Sequence, residues 1–228
     1  MSEKATQQEY WNSRADKWDS YDEPLMPGIQ DLGFMRKQLI PAGHTLILGV
    51  TPDFCKMALE ISNQVTAVDF SKDMIKTLRI ESVDYECMEW NEFFDQSTDK
   101  FDNIMTDGGL TCIEYPEEWQ KLANNISNHL SPGGIFAARV FINTPTPPDD
   151  NYKNPNLTRF ITGMGRVDHD WMMKVETHDD YRDYDVRYAF PPDQVVLSTF
   201  SKLALSDKFI PNYEAGEHFV SYAWQRIN

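Results

Sequence analysis

Cysteine is scarce and unpaired in this chain. Among 228 residues only Cys55, Cys87 and Cys112 occur, odd in number and without CxxC spacing. Neither a disulfide framework nor a zinc site is indicated, and a reducing, cytoplasmic setting is the expectation. Positive charge is also short. Lys and Arg number 21 against 36 Asp and Glu, for a net charge of -15. A surface of that sign repels phosphate backbones and anionic bilayers, so nucleic acid and membrane are not expected as partners. No run approaches the roughly 18 apolar residues of a spanning helix. Met1 to Tyr10 lacks the apolar stretch of a secretory signal. Repeats and low-complexity tracts are missing too. What the chain does have is an ordinary globular composition, 41% hydrophobic and 13% aromatic. At this length one domain over 1–228 is expected, as a monomer or homodimer.

Residues 5–20 read as a helix, with Tyr10, Trp11, Ala15 and Trp18 near helical spacing. Tyr21–Gly28 reads as a loop, and Ile29–Leu39 as a second helix stopped by Pro41 and Gly43. Short apolar runs then alternate with helical segments. Strands are predicted at Thr45–Leu48, Gln64–Val68, Asp84–Met88, Phe101–Thr106 and Ile135–Ile142. Helices are predicted from Thr51 to about Ile61, at Ser71–Leu78 and at Pro116–Leu130, and Ser131 to Gly134 reads as a turn. This alternation specifies an α/β three-layer sandwich around a mostly parallel, Rossmann-like sheet. It breaks down over 143–192, which is rich in Pro, Asp, Asn and aromatics and is expected to hold short helices of its own. A helix at Asp193–Leu203 and strands at Lys208–Tyr213 and His218–Arg226 follow.

Ligands of open parallel sheets bind beyond the carboxyl ends of the strands. Gly49 ends the first strand and Asp69 the second. A carboxylate there can accept hydrogen bonds from both hydroxyls of a ribose. The turn between Gly49 and Phe54 has a single glycine, which excludes the G-x-G-x-x-G of dinucleotide sites, and Asp53 would repel phosphate. The phosphate loop G-x-x-x-x-G-K-[ST] is absent as well. An adenosine without phosphate fits better, and S-adenosylmethionine is the common one.

These residues resemble the class I S-adenosylmethionine-dependent methyltransferases. The match runs through Thr45–Gly49, Val65–Ser71 with Met74, Met88-Glu89-Trp90, Phe101–Ile104 with Asp107 and Gly108, and Leu130–Gly134. Tyr10-Trp11 with Arg14-Ala15 and Trp18 is similar to the family's lid helix. The resemblance implies a seven-stranded sheet whose last two strands are antiparallel, and S-adenosylmethionine as cofactor. It divides the chain into lid helices (1–42), cofactor-binding core (43–142), substrate cap (143–192) and a C-terminal helix with a strand pair (193–228). It implies cofactor contacts from Tyr10, Trp11, Gly49, Thr51, Asp69, Phe70, Met74, Glu89, Trp90 and Asp107. The chain departs from the family at Ile47, where an acidic residue is usual, and at Thr51 and Asp53, where glycines are. Thr51 can offer its N–H and hydroxyl to the methionine carboxylate at a helix N-terminus.

For several residues two readings stand side by side. Asp69 can hold ribose or cap the next helix. Trp90 can flank adenine or pack the core, and Tyr10 and Trp11 can close the site or simply pack. His169, between Asp168 and Asp170 in the cap, is the candidate base alongside Asp107, or else an exposed His on a polar helix. Arg139, a charge within an apolar strand, needs a partner. That partner is a substrate carboxylate or a neighbouring Asp. Tyr181, Tyr184, Arg187 and Tyr188 are candidates to line the acceptor pocket. No metal is expected, since consecutive acidic and His residues rarely converge on one ion. The reaction expected is in-line transfer of a methyl group to an O or N of a small metabolite. A catalytically inactive binding or scaffold protein on the same fold, or a nicotinamide-dependent reductase, are the alternatives.

Overall fold

The computed structural model describes residues 6–144, 152–153, 155–164, 167, 171–174 and 187–227. Helix α1 (Gln7–Arg14) opens the described chain and passes into a 3-10 turn over Ala15–Ser20. A capping box starts it. The Glu9 N–H donates to the Thr6 hydroxyl, while the Glu9 carboxylate accepts the Thr6 N–H. Then come α2 (Ile29–Gln38), β1 (His44–Leu48), α3 (Pro52–Ile61), β2 (Gln64–Val68), α4 (Lys72–Leu78) and β3 (Asp84–Glu86). The chain continues with α5 (Trp90–Gln96), β4 (Phe101–Asp107), α6 (Glu117–His129) and β5 (Leu130–Phe141). The remainder supplies α7 (Pro155–Met164), β6 (Met172–Lys174), β7 (Arg187–Ala189), α8 (Asp193–Thr199), β8 (Ala204–Phe209) and β9 (Phe219–Gln225).

The main sheet has seven strands in the order β3-β2-β1-β4-β5-β9-β8. The first five are parallel, and β9 runs antiparallel to both β5 and β8. Alternation along each strand sends side chains into two separate cores. Leu46, Leu48, Ile104 and Phe136 join Trp119, Ile126 and Trp224 on one face. Ile47, Met105 and Ala137 join Phe34, Met35 and Phe54 on the other. Ile47 therefore occupies an apolar layer. The strand order reverses between β1 and β4, which opens a crevice beyond their carboxyl ends.

Four local expectations need correction. Helix α5 was not foreseen, because Trp90–Gln96 is too short to show a helical period. The Ser131–Gly134 turn lies inside β5. Pairing jumps from Phe101↔Leu130 to Asn103↔Ile135, and Gly133, at φ 78°, absorbs the extra residues. Strand β8 comes several residues earlier than Lys208–Tyr213, since Pro211 cannot donate to the ladder. Helix α8 stops at Thr199 rather than Leu203. In the 143–192 segment the described residues contain α7 and the small β6–β7 sheet.

Candidate active site

The floor of the crevice is set by Gly49 and Trp90. Gly49 leaves β1 at φ 105°, a conformation that strains any residue with a Cβ, and its N–H donates to the Val68 carbonyl at 2.8 Å. The Trp90 indole N–H donates to the same carbonyl at 2.8 Å. A Cβ at Gly109 would lie 2.3 Å from the Trp90 ring, so the glycine makes room for the indole. Half-buried and packed against the α5–α6 core, Trp90 supports the strand ends from below.

Asp69 follows β2. Its carboxylate accepts the Ser71 N–H at 2.7 Å, and Ser71 in turn caps α4. Burial, reinforced by the charge of Glu89 and opposed by the Ser71 bond, pushes its carboxyl up to about 7. This carboxylate has no cation beside it among the described residues, which suits hydroxyl donors. Glu89 itself is exposed at the start of α5. Helix α1 is tied to the same turn. Gln8 donates to the Phe70 carbonyl at 2.8 Å, and the Ser71 hydroxyl donates to Asn12 at 2.6 Å. Met74 is buried with Val50, Ala15 and Leu78, and Trp11 and Trp18 pack over this cluster.

On the other side of Gly49, Thr51 leaves the α3 N-cap unbonded, and its hydroxyl donates to Asp107 at 3.4 Å. Arg139 donates its Nε to the other Asp107 oxygen at 2.5 Å. The rest of the guanidinium donates to the Pro24 and Leu25 carbonyls at 2.6 and 3.1 Å. Arg139 is fully buried, and each of its three nitrogens donates inside the protein. Of the two partners expected for it, the neighbouring Asp is the one the fold brings within reach. Asp31 stands nearby and accepts from the Gly28 N–H and the Tyr213 hydroxyl. Burial raises its carboxyl, while the Arg139 charge and these bonds pull it back.

Above these carboxylates, the Tyr188 hydroxyl of β7 donates to that of Tyr10 in α1 at 3.4 Å, both rings being buried. Burial raises both phenols. Cys112 ends the 3-10 turn Gly109–Cys112, and its carbonyl accepts the Gln7 amide. Burial raises its thiol, with the charges of Asp69 and then Asp107 adding to the effect.

The fold thus assembles Tyr10, Trp11, Gly49, Thr51, Asp69, Phe70, Met74, Trp90 and Asp107 around one strand edge, with Arg139 behind it. Arg187 opens β7 on the exposed side. His169 and Tyr184 lie outside the described residues. Sequence reasoning passed over Cys112, which stands shortly after the Gly108-Gly109 pair, and the side-chain roles of Gln8, Asn12 and Arg14. The last of these was legible in principle, because Tyr10 and Arg14 are four apart on one helix face.

Residues 49–138 match a family model described as a methyltransferase domain. No curated protein matches the chain by sequence. Among solved structures, it is similar to the N-methyltransferase NodS from Bradyrhizobium japonicum WM9 in complex with S-adenosyl-L-homocysteine. That pair is 13% identical, with 97% of each chain covered and a TM-score of 0.63. A DhpI structure with the same ligand is 16% identical, with 97% of this chain and 95% of that one covered and a TM-score of 0.65. A Rhodobacter sphaeroides structure provisionally described as a Zn-dependent alcohol dehydrogenase is 14% identical, covering 96% and 98%, with a TM-score of 0.69. Identities this low speak for the fold alone. The chain thus carries a match to a methyltransferase domain over 49–138 and shares the Rossmann-like fold of these methyltransferase structures.

Proposed function

We propose that the protein binds S-adenosylmethionine and transfers its methyl group to an O or N of a small metabolite. The observation that carries this is Asp69, a half-buried carboxylate with no cation beside it among the described residues, at the end of β2 and one strand from the Gly49 turn. The residues present fit the cofactor. Asp69 would accept from the two ribose hydroxyls. The buried indole N–H of Trp11 has no acceptor among the described residues and packs over the same edge, where a polar ligand can supply one. The α3 N-terminus at Thr51 suits a carboxylate.

When bound, the cofactor supplies a methyl group already activated by a sulfonium. The protein's own task is alignment and the exclusion of water, which together lower the barrier of an in-line displacement. Asp107, held by Arg139 and Thr51, presents a fixed carboxylate at the β4 end. Tyr10 and Tyr188 cover the crevice from the lid and cap sides. Where the acceptor arrives protonated, Asp107 and His169 are the candidate bases. The free cysteines suit a reducing cytoplasm, and among the described residues no helix is long and apolar enough to cross a membrane. The surplus of acidic groups argues against nucleic acid.

A second reading rests on Thr51. Its side chain stands where the family has glycine and its hydroxyl is spent on Asp107, which favours an inactive binding protein on this fold. Calorimetry with S-adenosylmethionine and S-adenosylhomocysteine tests the first reading. Binding in the micromolar range is expected, and no heat at millimolar ligand would overturn it. Methyl transfer to no member of a broad acceptor panel, with binding intact, would favour the second.

A further inference from the structure

Arg14 occupies an unusual position for a cation in so acidic a protein. It closes the last turn of α1, directly behind the lid's two aromatics. Its guanidinium lies 4.8 Å above the Tyr10 ring. Its Nε is buried and has no hydrogen-bond acceptor among the described residues. Among the described residues no carboxylate comes within ion-pair distance of it. A buried donor on a charged group is costly to leave unmet, and Arg is built to grip a planar or tetrahedral anion.

The surroundings place this donor on the acceptor side of the crevice. The groups its charge feels are Tyr10, Tyr21 and Tyr188, the aromatic wall shared by lid and cap. The Tyr10 hydroxyl meets the hydroxyl of Tyr188 in β7 at 3.4 Å. Leu157, Ile161, Phe160 and Phe190 pack with Tyr10 and Tyr188 in one apolar cluster. An occupant of this region meets aromatic faces and one cation.

We propose that Arg14 holds the anionic group, a carboxylate or phosphate, of an otherwise apolar or aromatic methyl acceptor. The proposal rests on the methyltransferase reading of the crevice. The same chemistry is present in the cofactor's own methionine carboxylate, and the test separates the two sources. Arg14 would act by binding and orienting the acceptor, its anion fixed at one end so that the nucleophile faces the strand edge.

The full chain is titrated first with S-adenosylhomocysteine. The loaded protein is then titrated with benzoate and with phenyl phosphate. Wild type, Arg14→Gln and Arg14→Lys are compared, with circular dichroism to check their folds. At least one aromatic anion should bind wild type, with an affinity that falls as salt is added. Arg14→Gln should lose about tenfold or more, as expected for a hydrogen bond to a charged group. Arg14→Lys should recover part of that loss, and S-adenosylhomocysteine affinity should be unchanged throughout. A tenfold-scale loss of S-adenosylhomocysteine affinity in Arg14→Gln would assign the residue to the cofactor and overturn the proposal. Anions that bind wild type and Arg14→Gln alike, or do not bind wild type at all, would overturn it too. Failure of the wild type to bind S-adenosylhomocysteine would instead strike the methyltransferase reading on which it stands.

Discussion

Asp69 carries two kinds of energy at once. In the proposed role of ribose acceptor it would supply charge-assisted hydrogen bonds, so Asp69→Ala is expected to weaken S-adenosylhomocysteine binding by about 1.5–3 kcal/mol. Calorimetry on the folded variant checks this, and unchanged affinity would remove the residue from the site. As a half-buried carboxyl raised by desolvation from 3.8 to about 7, it favours its protonated form in the folded protein. A raised folded value means that its stabilising effect is complete below the unfolded value and is lost as pH climbs to about 7. The ligand-free protein should therefore lose stability relative to Asp69→Asn between pH about 4 and 7. Melting temperatures across that range, flat in their difference, would contradict it. Arg139 is the opposite case, a buried cation shared by Asp107, Asp31 and two loop carbonyls. Arg139→Met leaves buried carboxylates unpaired and should cost about 3–5 kcal/mol in urea unfolding. A loss below about 1 kcal/mol would show that Arg139 is dispensable to this network.

At the scale of elements, α1 is the part whose stability is separable from the rest. It is held by its capping box, by Gln8 and Asn12 on the β2–α4 turn, and by Tyr10 on Tyr188. Thr6→Ala removes the cap and should weaken the helix by about 1 kcal/mol. Hydrogen exchange should quicken in α1 while the β1, β4 and β5 amides stay protected. Equal quickening in the sheet would mean that α1 unfolds only with the whole domain. The strands were legible because their apolar runs are bounded by turn residues. Helix α5 was not, because two turns of Trp-Asn-Glu-Phe-Phe carry too few residues to distinguish a period. Strand β8 was misplaced for a related reason. Its exposed alternation, Leu205 outside and Asp207 paired with Ala223, is read from the partner strand and not from its own residues.

For the molecule as a whole, ligand binding should act as a global stabiliser. S-adenosylhomocysteine at about 100 times its Kd should add about 2.7 kcal/mol to unfolding by mass action. A melting temperature that does not move at saturating ligand would count against a crevice formed only in the folded state. The chain by itself determined the α/β alternation, the parallel sheet, and the two strand-end residues, Gly49 and Asp69, on which the proposed nucleoside site rests. These depend on local period and on residue type, both of which are written in consecutive residues. Tertiary structure alone decided what Arg139 holds and which lid residue meets Tyr188. Those outcomes join positions 32 to 178 residues apart, and a partner at such separations is chosen by packing, not by spacing along the chain.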